Sequence, residues 1–297
     1  MNKIISTKNA NIFIECNEVI NLFLHTLNIY GLLGNHGTNY SLRQNENVIK
    51  SIDKKTEKDV EQGDHYFSYG DLKIYETGMD FILDNEAWKN PVDAENVYMG
   101  NLEMNFNSAL QKGWNEFYKD YWNDTYNERK KLFDECINAF DFIENLEKMK
   151  MAAHSEFTKD FYIFPAESLV HSALKYNDNV CMGNLIVGND MGFVHEGLHL
   201  LLQEKWAADN EIVEAVSRAN YQGKTYHSWA AKYEQALVIG LDCCIRDMDD
   251  MTAKNYYNGC DVGDVFEIAY PLIKEYYNGG CKDSIESLML KIIRRTT

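Results

Sequence analysis

The sequence predicts an α+β chain, predominantly helical, in which a small mixed or antiparallel sheet is followed by a metal-binding helix. Three observations carry this expectation. Apolar residues recur at helical spacing over much of the 297 residues. Short strand-like runs gather ahead of residue 190. The third is the stretch Phe193-Val194-His195-Glu196-Gly197-Leu198-His199-Leu200, which sets two histidines and a glutamate inside an otherwise apolar run.

The elements follow in order. Residues 10–15 alternate as a strand, and residues 18–30 carry Val19, Ile20, Leu22, Phe23 and Leu27 as a helical stripe. Gly31, Gly34 and Gly37 then break the pattern. No Lys-Ser or Lys-Thr pair and no dinucleotide spacing accompanies them, so they predict a turn and not a phosphate loop. Residues 40–62 are polar and predict an exposed helix or loop. Helices are expected at 71–88, 101–114 and 126–149, and the aromatic group Trp114, Phe117, Tyr118, Tyr121 and Trp122 is expected to pack in a core.

Strands are expected at 161–164, 168–174 and 180–187, with a hairpin turn at 176–179. Asn189 and Asp190 are N-cap candidates for the histidine helix, which runs to about Trp206. Helices at 211–221, 226–247, 262–277 with a kink at Pro271, and 283–294 complete the chain. No linker-like tract separates these elements. The expected organisation is a mostly helical part, 1–150, packed against a second part, 151–297, that carries the site.

Composition narrows the function. A formal net charge of −17 argues against nucleic acid and against an anionic membrane surface. Seven scattered cysteines without a Cys-x-x-Cys motif do not form a disulfide framework, and neither a signal peptide nor a membrane span is visible. A cytoplasmic protein is expected.

The chemistry lies in His195-Glu196-x-x-His199. Residues four apart share one helix face, so both imidazoles can hold a single metal ion. Glu196 stands beside them, where a carboxylate can take a proton from a metal-bound water. Buried imidazoles need partners, and a shared metal supplies one. The competing Glu-x-x-His pattern of di-iron bundles needs a second copy, which the chain lacks. A single Zn2+ is therefore expected.

Over residues 161–247 the chain resembles the zinc metallopeptidases called gluzincins, in which His-Glu-x-x-His gives two metal ligands and a glutamate on a later helix gives the third. The resemblance implies a zincin-like core, a peptide or protein substrate, and hydrolysis through a zinc-bound water with Glu196 as general base. It also implies a glutamate roughly twenty residues beyond the second histidine, where this chain has none. Glu214 and Glu234 flank that spacing. A first helix running to Trp206 travels about 10 Å past His199, and a helix returning from residue 211 recovers only about 5 Å by Glu214. Glu234 is thus the preferred third ligand, with Glu214, His227 and Asp242 as alternatives. His227, Tyr226 or Tyr233 is positioned to donate a hydrogen bond to an oxyanion. The alternative expectation is a non-catalytic protein of the same fold, its metal structural or absent.

Overall fold

The computed structural model describes residues 1–29, 118–169, 173–177, 179–217, 229–258 and 262–296. The chain is mixed α/β and mainly helical, with a small mixed sheet. The helices expected at 71–88 and 101–114, the turn at 31–37 and the polar stretch at 40–62 lie outside the described residues.

The sheet has five strands in the order β1-β2-β3-β5-β4. They are β1 (Asn2–Ser6), β2 (Asn11–Glu15), β3 (Phe161–Ala166), β4 (Leu174–Asn177) and β5 (Val180–Asn184). β2, β3 and β5 run parallel, and β4 closes one edge antiparallel to β5. In β2 the side chains of Ile12 and Ile14 are fully buried while the alternate positions are half-buried, the period expected of a strand with one covered face. All five residues of β5 are buried, as an interior parallel strand requires.

Two compact units are distinguishable. The first holds most of the sheet with α1 (Glu18–Ile29), α2 (Lys119–Asp124) and α3 (Tyr126–Ala139). Asn17 caps α1, its Oδ1 accepting from the Val19 and Ile20 amides at 3.1 and 3.2 Å. Asn21, one turn into the helix, donates to the Pro165 carbonyl at 3.0 Å and accepts from the Glu167 amide at 3.2 Å, fastening α1 to the end of β3. Arg129 of α3 is wholly buried. Its Nε lies 3.1 Å from Glu167 Oε1, its guanidinium carbon sits 3.7 Å from the Trp122 ring centroid, and it donates to the Trp122 carbonyl. Paired and stacked in this way, a buried guanidinium is tolerated. Of the aromatic group expected in a core, Tyr118 and Trp122 are buried in this cluster, Tyr121 is half-buried, and Trp114 and Phe117 lie outside the described residues.

The second unit holds α4 (Phe142–Ala153), α5 (Phe193–Ala208), α6 (Asn210–Ser217), α7 (Trp229–Ile245), α8 (Asp250–Asn258), α9 (Gly263–Asn278) and α10 (Ile285–Thr296). α5 packs on α4 and α7, and α7 packs on α9. Phe142 meets Phe193 edge to face, with centroids 5.2 Å apart. Pro271 lies inside α9 as expected.

Four expectations are corrected. The single helix at 126–149 is two, because Phe140 is extended and Asp141 caps α4 by accepting from the Glu144 amide at 2.9 Å. Of the strand expected at 168–174, Ser168 lies in a turn, β4 starts at Leu174, and residues 170–172 lie outside the described residues. β5 stops at Asn184, short of residue 187. The hairpin turn is tighter than residues 176–179, because Asn177 already pairs with Val180. Three elements escaped the periodicity: β1, α2 and α8. Among the described residues no helix is long and apolar enough to cross a membrane, and the described cysteines are all free thiols.

Candidate metal site on α5 and α7

The chain enters α5 through a buried turn. Asp190 Oδ1 accepts from the Gly192 amide at 3.2 Å, while Met191 and Gly192 adopt φ of 58° and 81°. Asn189 and Asp190 therefore shape the turn, and the helix begins at Phe193. Gly192 is the residue type this geometry favours, and Met191 is held in it although buried.

His195 and His199 lie one turn apart on α5, their ring centroids 5.1 Å from each other at 70°. Both are mostly covered, with side chains 15% and 12% exposed. Glu196 is buried, and its Oε2 has no hydrogen-bond partner among the described residues, a costly state for a carboxylate oxygen.

The partners of the histidines come from α7. Glu234 Oε1 lies 2.7 Å from His199 Nδ1, and Asp242 Oδ2 lies 3.8 Å from His195 Nδ1. Glu234 thus meets His199 at Nδ1, the arrangement that fixes the tautomer of metal-binding histidines and leaves Nε2 as the ligating atom, whereas Asp242 stands beyond hydrogen-bond distance of His195. Asp242 is itself almost fully buried. It lies 2.9 Å from Arg246 Nε, close enough for an ion pair though not aligned as a hydrogen bond.

Both Nε2 atoms converge on Gln235. Its amide nitrogen is 3.1 Å from His195 Nε2 and its amide oxygen 3.0 Å from His199 Nε2. With its Nδ1–H donating to Glu234, His199 carries a lone pair on Nε2; the Gln235 amide can donate to it when turned over, its oxygen then accepting from an Nε2–H of His195. The two Nε2 atoms and the Gln235 amide oxygen are the donors that could hold a cation here.

Glu234 is brought to the histidines, but at the Nδ1 edge of His199. Glu214 is exposed on α6. Tyr226 and His227 lie outside the described residues, and Tyr233 donates to or accepts from Thr296 Oγ1 at 2.7 Å. Among the described residues no three histidine, cysteine, aspartate or glutamate side chains are gathered so as to hold a metal ion. Cys243, next to Asp242, stays a neutral packing thiol, since burial first and the Asp242 carboxylate second push its pKa up to about 12. Gln235 carried no signal in the sequence, because a glutamine on an apolar helix has no motif to mark it.

No family model matches the chain, and comparison with curated proteins and with solved structures finds no match to either.

Proposed function

We propose that the protein is a zinc-dependent metallopeptidase in which His195 and His199 hold the metal and Glu196 is the general base. The observation that carries this reading is that the Nε2 edges of both histidines face the same Gln235 side chain, with the Glu234 carboxylate hydrogen-bonded to His199 Nδ1 and Asp242 3.8 Å from His195 Nδ1. Such an arrangement is built for a cation. A zinc ion bound there supplies a Lewis acid for a peptide carbonyl and lowers the pKa of a coordinated water to about 7.

The chain's own residues do the rest. His199 is locked by Glu234, and His195 is faced by Asp242, so neither ring has to be oriented at the moment of reaction. Glu196 has a buried oxygen free of hydrogen bonds among the described residues, where it can take a proton from water and pass it to the leaving amine. Tyr226 or His227, just ahead of α7 in sequence, is our candidate for donating to the oxyanion. A small mixed sheet leading into the histidine helix, with a glutamate-bearing helix packed on it, supports a zincin-like core. Free thiols throughout the described residues support a reducing, cytoplasmic setting.

The test is cleavage of a mixed peptide library by the purified chain, abolished by a chelator and restored by zinc. His199→Ala is expected to bind no zinc by elemental analysis. A protein that binds one zinc yet cleaves no peptide is instead a non-catalytic binding protein of this architecture.

A further inference from the structure

The third protein donor decides how this site works, and the geometry on α7 distinguishes two neighbouring residues. Successive helix residues project about 100° apart, so Glu234 and Gln235 address different edges of the imidazoles. Glu234 Oε1 is engaged at Nδ1 of His199, the ring edge turned away from Nε2. Gln235 reaches the Nε2 edge of both rings at once. Asp242 lies two helical turns beyond Gln235 on the same face, where it meets His195.

Two donors held by one tetrahedral zinc at bonds of about 2.0–2.1 Å stand about 3.3 Å apart. The Gln235 amide oxygen stands 3.0 Å from His199 Nε2, of that size, and the other end of the same amide, its nitrogen, reaches His195 Nε2 at 3.1 Å. An amide oxygen is a competent neutral ligand. From this placement we infer that Gln235, and not Glu234, supplies the third protein donor to the metal, while Glu234 and Asp242 hold the outer nitrogens of the two histidines. A neutral third donor leaves the bound ion with its full double charge, a stronger Lewis acid than a carboxylate-ligated one. This inference rests on the metal-binding reading above.

The experiment uses the full chain stripped of metal by chelation. It is titrated with zinc against a chromophoric competitor and with cobalt(II) followed by visible absorption, which reports the ligand set. Gln235→Ala is expected to weaken zinc binding by about a hundredfold or more and to change the cobalt spectrum. Gln235→Glu places a carboxylate oxygen at the same reach, and is expected to restore binding to the parent level or better, which a merely structural role would not produce. Glu234→Gln is expected to keep the cobalt spectrum and weaken zinc binding only about ten- to a hundredfold, the size of an orienting effect. Unchanged affinity and spectrum in Gln235→Ala, with binding lost in Glu234→Gln, gives the third place to Glu234 and overturns the inference while the metal reading stands. A parent chain that binds neither zinc nor cobalt overturns both.

Discussion

Glu234 and His199, 35 residues apart in the chain, meet at 2.7 Å, carboxylate oxygen to ring Nδ1. That contact ties the helix carrying the histidine motif to the helix packed on it. It also sets which nitrogen of His199 is left for a ligand, because an Nδ1–H donating to a carboxylate leaves the lone pair on Nε2. Glu234 is near the histidines for a reason the spacing alone did not supply.

Asp242 faces His195 Nδ1 at 3.8 Å, and its removal is expected to have two separable effects. In Asp242→Asn the Arg246 guanidinium loses its buried counter-charge. Its side chain is 21% exposed and can turn toward water, so the expected loss is about 2 kcal/mol, below the cost of stranding a fully buried ion. Urea unfolding measures this. Zinc affinity is expected to fall about tenfold in the same variant, because the Nδ1 of His195 loses its facing carboxylate. Unchanged affinity would show that His195 is oriented by other contacts.

The pH dependence of stability has a source in α1. His25 of α1 is buried, with Tyr118 at 5.6 Å between ring centroids, and burial lowers its pKa from 6.5 to about 4. The unfolded chain takes up a proton below about pH 6.5, whereas the folded chain does not until about pH 4. The contribution of His25 is therefore fully present above pH 6.5, falls as the pH drops toward 4, and levels off below. The shift corresponds to about 3 kcal/mol. His25→Phe removes this step, so the difference in unfolding free energy between pH 7.5 and 4.5 is expected to shrink by about 2 kcal/mol relative to the parent. An identical pH profile in the variant would remove His25 as the cause.

Gly183 in β5 is required by a close approach of backbone. A Cβ there would lie 2.1 Å from the Met191 carbonyl oxygen, in the left-handed turn that precedes α5. A backbone oxygen cannot move aside as a side-chain tip can. Gly183→Ala is expected to cost about 3 kcal/mol, read from the denaturation midpoint. A cost under about 0.5 kcal/mol would mean that the turn relaxes freely.

The elements legible in the sequence are those whose periodicity is long or whose chemistry is local. α1, α5, α7 and α9 each show a sustained apolar pattern, and β2, β3 and β5 show strand composition. The break between α3 and α4 was written in Asp141 and Glu144, a capping pair inside what otherwise scans as one helix. α8 was hidden for a similar reason. Its start is signalled by Asp249, whose Oδ1 accepts from the Met251 and Thr252 amides at 2.9 Å, but its short, mostly polar sequence has no apolar stripe to announce it. In the candidate site, His195, Glu196 and His199 stand out in the sequence because their spacing is the helix repeat itself, and helix lengths favour Glu234 over Glu214 as the residue to come near them. The contacts of Gln235 and Asp242 could not be read, since they depend on which edge of each imidazole faces α7, and that is settled only by packing.

The most direct test of the central claim is Glu196→Gln. The substitution keeps the size of the side chain and removes the carboxylate that accepts the proton. The account predicts one zinc per chain, an unaltered unfolding midpoint, and peptide hydrolysis reduced by about a thousandfold or more. Hydrolysis at the parent rate, with zinc still bound, would contradict it.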